Sequence, residues 1–493
     1  MSGTGVTMRD GRWTRGLMAA CVAASVAAAS VLGGRAARAQ TTWSARTGNT
    51  PVRVTIPLHA SAPQPPDLQY QLLPRAGDLH PGNAALGYAT AIGLIPVDRP
   101  AAESDDLDSL RSVDLASFDE KKAETLLAPY AAALRQLRFA ARYDTIDWQT
   151  GFLSQGADTP LPNLAPLRLL SNVLAVGIRL DLKRGDFAAA HDKLQTGYAL
   201  ARHLGRGDTL IQDLVGVAIA SLMSHEVEEW IGIQGSPNLF WPLAYMPRPL
   251  VDSARALSME KDDAYVSMPG LREMREGKTT VESWTRFTNR FEDLQAGGYA
   301  AGTSTRPAYK QQMTATGFAL LLYPSAKQWL IEHQHMTAQQ VDQMPVAEVL
   351  GRYFPDSFDA SMDHTFRYMN LPPSVSLPAL RKAEREFGQP GGAYTNLLAR
   401  IVLPSLSRAL YLSINANRTL DALQTVEGVR AYLAQHQALP PDLAAVELPL
   451  PDDPTTGKPF DYQARGGAAT ITSAPLDDPQ PGDTLVYELT TGK

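Results

Sequence analysis

The fold of this chain is decided by residues 164–233, whose sequence is LAPLRLLSNVLAVGIRLDLKRGDFAAAHDKLQTGYALARHLGRGDTLIQDLVGVAIASLMSHEVEEWIGI. Leucine and isoleucine first recur at steps of three and four residues, the spacing of one helix face. These positions are Leu167, Leu170, Leu174, Ile178 and Leu182. Gly185 ends this predicted helix, and Asp186 caps a second one that ends at Gly205-Arg206-Gly207. A third helix is expected from Thr209 to Trp230.

The first two helices form a hairpin that resembles a single tetratricopeptide unit. Gly185-Asp186-Phe187 stands where that motif has Gly-Asp-Tyr, and Ala190 supplies a small residue at the helix contact. No second copy follows at the repeat step, although a solenoid needs about three stacked repeats to bury its faces. The alternatives are an isolated unit of this type and an ordinary helical hairpin within a larger bundle.

Outward from these helices, the sequence divides into four segments. Residues 1–39 are interpreted as a leader, 40–110 as a proline-rich lead-in, 111–418 as a helical body, and 419–493 as a C-terminal helix followed by a small antiparallel β meander. Apolar and polar residues alternate from Val52 to Leu58, which predicts a short strand suited to a sheet edge. The predicted fold class is mainly α, an irregular multi-helix array that contains the tetratricopeptide-like hairpin.

Two local predictions concern the start of the helical body. Asp105, Asp106 and Asp108 are interpreted as an acidic loop because acidic clusters are common between periodic segments. A single helix is then expected from Leu126 to Phe139, with Phe139 among its core contacts.

The first 39 residues have the features of an export signal. Arg9, Arg12 and Arg15 give a basic start, an apolar run extends from residue 17 to 32, and Ala37-Arg38-Ala39 fits a cleavage motif. The apolar run is short for a membrane span, which needs about 20 strongly apolar residues. We expect a cleaved signal peptide and a periplasmic or extracellular protein, with membrane contact only if the leader stays uncleaved.

Composition excludes several kinds of chemistry. The single cysteine, Cys21, lies in the leader, so the mature chain would lack disulfides, thiol nucleophiles and thiolate metal sites. The net charge of −6 becomes −10 without residues 1–39. An acidic exported protein is a poor candidate for neutralising phosphates, so no nucleic-acid partner is expected.

No complete catalytic, cofactor or metal motif is found. The helical spacings His225 with Glu229 and Glu332 with His335 suit metal ligands, but a di-iron site needs a second Glu-x-x-His. Ser258 and Lys261 match one part of a penicillin-binding motif without its companions. We therefore expect no cofactor and no metal.

An aromatic, proline-bounded segment is the candidate recognition surface. It contains Phe240, Trp241, Tyr245 and Met246, residue types that are enriched at interfaces when exposed. The alternative is that the segment packs between helices.

Two stretches carry resemblances to known families. Residues 208–220 with 237–252, together with 422–473, resemble a family of large, exported, helix-rich proteins of unknown function that is abundant in planctomycete-type bacteria. The tail alone is similar to the globular end of type II secretion major pseudopilins, since Asp453-Pro454 and Gly457-Lys458-Pro459-Phe460 match the turn before their meander. About 380 residues that pseudopilins lack separate the leader from this tail.

These observations favour a non-enzymatic helical protein that binds or scaffolds another protein of the cell envelope. One alternative is an envelope hydrolase whose site is assembled from residues distant in sequence. Another is an accessory protein of a secretion or pilus-like system, which the tail resemblance would imply.

Overall fold

A computed structural model describes residues 51–100, 102–151, 163–295, 307–387, 396–473 and 484–491. The predicted leader at 1–39 lies outside these residues, so the export signal stays a prediction. The helices of the first half are α1 (Ala84–Gly93), α2 (Glu103–Ser112), α3 (Glu120–Leu127), α4 (Ala131–Ala140), α5 (Leu164–Lys183), α6 (Phe187–Leu204) and α7 (Leu210–Ile231). The predicted fold class is confirmed: the described chain is mainly helical with a small antiparallel β region.

The three helices predicted from residues 164–233 are present within a few residues of their expected ends. The Asp186 carboxylate accepts a hydrogen bond from the Ala189 amide, and the Thr209 hydroxyl accepts one from the Gln212 amide. Both caps satisfy backbone donors that have no partner within the helix. Helix α7 contacts both helices of the hairpin, so these elements form a three-helix unit.

Helices α6 and α7 approach closely through a glycine. A Cβ atom at Gly216 of α7 would lie 2.7 Å from the backbone carbonyl oxygen of Ala201 in α6, a distance at which the helices would have to separate. Among the described residues, α7 is the one helix with the length and hydropathy of a membrane span, but 72% of its most apolar window is buried. We interpret α7 as the central helix of a protein core.

Two predictions at the start of the body were wrong. Asp105 and Asp106 lie in the first turn of α2, where negative charge is stabilised by the positive end of the helix dipole. The expected helix from Leu126 to Phe139 is divided into α3 and α4 around Pro129. Phe139 is 45% exposed, and its ring stacks on His80 with centroids 5.1 Å apart.

A four-stranded sheet joins the two ends of the described chain. Its strands are β1 (Val52–Leu58), β4 (Asp461–Arg465), β5 (Ala468–Thr472) and β6 (Leu485–Thr491), in the order β1-β6-β5-β4. The last three form the predicted antiparallel meander, whereas β1 pairs in parallel with β6. The predicted edge strand of the lead-in therefore completes the sheet of the tail. Strands β2 (His80–Asn83) and β3 (Tyr143–Thr145) make a separate parallel pair.

The second half is built from further helices. They are α8 (Phe240–Ala244), α9 (Ala254–Ser267), α10 (Pro269–Arg275), α11 (Val281–Gln295), α12 (Ala308–His333), α13 (Ala338–Asp342), α14 (Val346–Phe366), α15 (Pro373–Phe387) and α16 (Leu397–His436). Helix α16 is continuous through residue 418, where the sequence suggested that the body ends.

Helix α16 connects two hydrophobic cores. The first core is formed by α1–α7, the sheet and the C-terminal part of α16, and includes Trp230 and Tyr487. The second core is formed by α9–α14 and the N-terminal part of α16, and includes Phe287 and Phe354. Leu398 and Leu406 belong to the second core, whereas Leu420 and Val426 belong to the first.

Buried charges fasten the C-terminal part of α16 to distant segments. The Arg430 guanidinium pairs with Glu427 at 2.9 Å and donates to the carbonyl oxygens of His59 and Ser236. Arg418 pairs with Asp453 at 2.8 Å, and all four charged side chains are almost fully buried. These pairs hold the lead-in and the turn before the meander against one helix.

Candidate functional site

An open groove lies where α4, α6 and the lead-in loop at residues 69–78 meet. Its volume is about 500 Å³, which is within the range of ligand pockets. The lining side chains are mostly polar or charged: Gln69, Arg75, Asp78, Arg138, Ala188, Ala189, His191, Asp192, Lys193 and Gln195. Most of them come from the first half of α6, so the helical hairpin provides one wall of the groove.

Asp192 fixes the cationic side of the groove. Its carboxylate accepts hydrogen bonds from Arg138 Nε and Arg142 Nη2, each at 2.8 Å. The two arginines are four residues apart on the chain and reach the same carboxylate at the end of α4. Arg142 also donates to Gln195 Oε1 at 3.2 Å. A network of this kind holds charged groups in defined positions, as a recognition surface requires.

The opposite wall is the lead-in loop, whose backbone carbonyl oxygens accept hydrogen bonds from side chains of α6. Gln195 is 7% exposed, and its amide donates to the carbonyl oxygens of Gln71 at 2.7 Å and Leu73 at 3.1 Å. His191 Nε2 donates to the Gln71 carbonyl at 2.8 Å. Burial lowers the pKa of His191, although the bond to Gln71 opposes this shift. The ring is therefore neutral at pH 7. His191 binds the loop through this hydrogen bond and adds no charge to the groove.

The groove has a small positive surplus. With His191 neutral, Arg75, Arg138 and Lys193 outnumber Asp78 and Asp192 by one charge, whereas the whole chain carries −6. Lys193 also contacts the carboxylate of Asp181. Paired, fixed charges of both signs with a cationic surplus suit a polar ligand that carries carboxylates.

The four residues of the predicted recognition surface do not lie together at the surface. Phe240 is 0% and Met246 5% exposed, so both pack in the interior as the alternative proposed. Tyr245 is 60% exposed, and Trp241 is half-buried with its ring against Phe240. Recognition through Trp241 and Tyr245 stays a prediction.

His225, which was considered as a metal ligand together with Glu229, has another partner. His225 Nδ1 lies 2.9 Å from Glu228 Oε2, and the second oxygen of Glu228 accepts a bond from the Tyr487 hydroxyl at 2.7 Å. Burial lowers the pKa of His225, but Glu228 and its neighbouring carboxylates outweigh this effect and raise it overall. In the described ranges, no group of three or more histidine, aspartate or glutamate side chains could hold a metal ion.

Two carboxylates inside α7 make no hydrogen bond of normal geometry among the described residues, although the Ser253 hydroxyl beside Asp213 partly opposes the rise in its pKa. Glu226 is fully buried and its nearest cation, Arg179, lies 3.9 Å away. Burial raises the pKa of Glu226 to about 7. Asp213 is 1% exposed, and burial with the nearby charges of Asp252 and Glu260 raises its pKa to about 8. Neither carboxylate lines the groove, so we regard them as stability determinants.

The groove was not predicted from the sequence. Arg138 and Arg142 are four residues apart at the end of α4, and His191 and Gln195 share one face of α6, so local signals existed in both places. Nothing in the sequence indicated that the lead-in loop would lie between them. Comparison of this chain with protein-family models, curated proteins and solved structures finds no match.

Proposed function

We propose that this chain is an exported, non-enzymatic binding protein of the cell envelope, and that its groove takes a carboxylate-bearing segment of a partner protein. The observation that carries this proposal is the open groove with its fixed charges. Three cationic side chains surround a volume of about 500 Å³. The leader supports export, and the resemblance to exported helix-rich proteins agrees with such a role.

A polypeptide segment suits the groove because the groove is open and polar. Enclosed, mainly apolar pockets are typical of small-molecule sites. A segment that carries aspartate or glutamate could pair with Arg75, Arg138 or Lys193 while its backbone bonds to Gln69. Asp78 and Asp192 would repel a segment with carboxylates at the wrong positions, which gives selectivity.

The proposal can be tested by site-specific photo-cross-linking in envelope preparations. A photoreactive residue at Ala188, which is exposed in the groove, should capture one defined protein. The matched control is the same residue at Ala128, which is exposed elsewhere. Capture of the same protein from both positions, or of none from Ala188, would contradict the proposal.

Charge reversal then tests the chemistry of the groove. Lys193→Glu should reduce capture about 10-fold, since reversing a contact charge costs on the order of 1–2 kcal/mol. Lys278→Glu reverses a 69% exposed lysine outside the groove and should leave capture unchanged. Circular dichroism of both variants checks that each remains folded. Equal capture by Lys193→Glu would mean that the groove does not recognise carboxylates.

A further inference from the structure

Helix α12 has apolar residues on two of its faces. One face packs into the second core, and its buried residues are Ala315, Leu322, Ala326, Trp329 and Leu330. On the other face, Tyr309 is 60% exposed, Met313 69%, Leu320 75% and Leu321 70%. These four exposed residues, with Gly317 and Pro324, are named here the α12 stripe.

The α12 stripe is continuous and uncharged. Its positions follow steps of four, four, three, one and three residues, so they lie on one side of the helix over four turns. No charged residue occurs from Gln311 to Ala326. A Cβ atom at Gly317 would meet nothing within 4 Å, which leaves room for another backbone to approach. Contiguous exposed apolar surface of this kind marks an interaction site.

The two ends of the stripe carry opposite charges. Lys310 lies at the N-terminal end and Glu332 at the C-terminal end, and both are exposed. On a helical projection both lie on the same flank of the stripe. When two copies of such a helix pair in antiparallel fashion about a two-fold axis, equal flanks face each other. Lys310 of each copy then meets Glu332 of the other, and Leu320 meets Leu321 at the centre.

We propose that the α12 stripe is the contact between two copies of this chain, which pair through antiparallel α12 helices. The uncharged centre permits self-association without burying an unpaired charge. Each copy contributes one Gly317, on opposite sides of the two-fold axis, and these glycines allow the two helices to approach closely. The opposite charges at the ends set the antiparallel direction. The contact extends over about 35 Å, from Tyr309 to Glu332 at 1.5 Å per residue.

A lipid surface fits this face less well. Helices that lie in a membrane interface carry several lysine or arginine residues beside the apolar stripe. Here the flank has one lysine and one glutamate, so its net charge is zero, and the chain as a whole is acidic. If the protein binds lipid vesicles in the experiment below, a membrane and not a second copy of the chain covers this face.

Sedimentation velocity over roughly 1–100 µM protein tests the pairing directly. The wild-type protein should pass from monomer to dimer in this range. Leu320→Glu places two carboxylates at the centre of the contact and should raise the dimer dissociation constant at least about 100-fold. Leu86→Glu is the matched control, because Leu86 is 68% exposed on α1. It should leave the dissociation constant unchanged.

Charge exchange tests the direction of the helices. Lys310→Glu and Glu332→Lys should each weaken the dimer by about 5–10-fold, and the double variant should restore the wild-type dissociation constant. A double variant that is weaker than both single variants would overturn the antiparallel arrangement. Thermal unfolding of each variant separates lost pairing from lost folding.

Two results would overturn the proposal as a whole. One is a wild-type protein that stays monomeric at about 100 µM. The other is a Leu320→Glu variant that dimerises as the wild type does. Co-sedimentation with vesicles of mixed phosphatidylethanolamine and phosphatidylglycerol serves as the companion measurement. A monomer that binds these vesicles through Leu320 would assign the face to a membrane.

Discussion

The two cores are stabilised in different ways. The first core contains fully buried charges, of which Arg179, Glu226, Glu427 and Arg430 are 0% exposed. The second core is aromatic, with the Phe287 and Phe354 rings 4.5 Å apart, and its ion pairs lie at the rim. The Arg286 side chain, which pairs with Glu273, is 53% exposed. Buried charges thus help to fix distant segments in the first core, whereas the second core is held mainly by apolar packing.

This difference has a physical reason. The first core joins segments far apart along the chain, since Arg430 bonds to the carbonyl of His59. Apolar contacts are not directional, whereas a buried ion pair is costly unless each hydrogen bond is in place. A buried ion pair therefore accepts only the distant segment whose hydrogen-bonding groups lie in the correct positions. The second core is mostly built from residues between 257 and 409 and has less need of such specification.

The largest effect is expected from removing one buried charge in the first core. Arg430→Met leaves Glu427 buried without its cation and frees the carbonyls of His59 and Ser236. We expect the free energy of unfolding to fall by about 3–5 kcal/mol. Chemical denaturation measures the loss, and hydrogen exchange should locate it in residues 52–61 and 236–239.

A double variant separates the two contributions at this site. Arg430→Met with Glu427→Met leaves no unpaired buried charge, so it should be more stable than Arg430→Met alone. If hydrogen exchange instead increased in α14 of the second core, the two cores would not be stabilised independently.

A smaller and pH-dependent effect is expected at Asp213, near the border between the cores. Burial raises its pKa from the usual value near 3.8 to about 8, so the folded protein holds this proton more tightly than the unfolded chain. In the folded protein Asp213 is neutral below pH 4. As the pH rises from about 4 towards 8, the unfolded chain loses this proton more readily than the folded protein, so the free energy of unfolding falls.

Asp213→Asn should remove this loss. We expect it to be about 1–3 kcal/mol more stable than the wild type at pH 8 and nearly equal to it at pH 3.5. Urea unfolding at the two pH values gives the difference. An equal effect at both values would mean that Asp213 does not titrate in this range.

The smallest effect is expected at the rim of the second core. Arg286→Met removes a half-exposed ion pair and should change the free energy of unfolding by less than about 1 kcal/mol. Urea unfolding beside Arg430→Met provides the direct comparison. A loss as large as that of Arg430→Met would contradict the contrast between the cores.

What the sequence predicted was local. Residues 164–231 have helical spacing, caps and turns that agree with each other, and their helices were predicted closely. The acidic residues of α2 were misinterpreted because acidic residues favour both loops and first turns of helices. The strands at Val52–Leu58 and in the tail were predicted, but the pairing of β1 with β6 was not, since alternation gives no information about pairing.

The candidate site shows the same limit. The groove needs α4, α6 and the loop at residues 69–78 to meet, and no spacing along the chain reports that contact. The exposed faces were equally hard to foresee. Phe240 and Tyr245 belong to the same segment, yet one is fully buried and the other is 60% exposed.

The pairing of β1 with β6 sets an order of events during synthesis. Val52 faces Leu485, so the first strand leaves the ribosome about 430 residues before its neighbour, roughly 20–90 s earlier at ~5–20 residues per second. Until β6 has been synthesised, the edge of β1 that pairs with it in the finished sheet has no partner. An unpaired strand edge can pair with other chains. A holding factor, or passage of the whole chain before folding, would protect this edge.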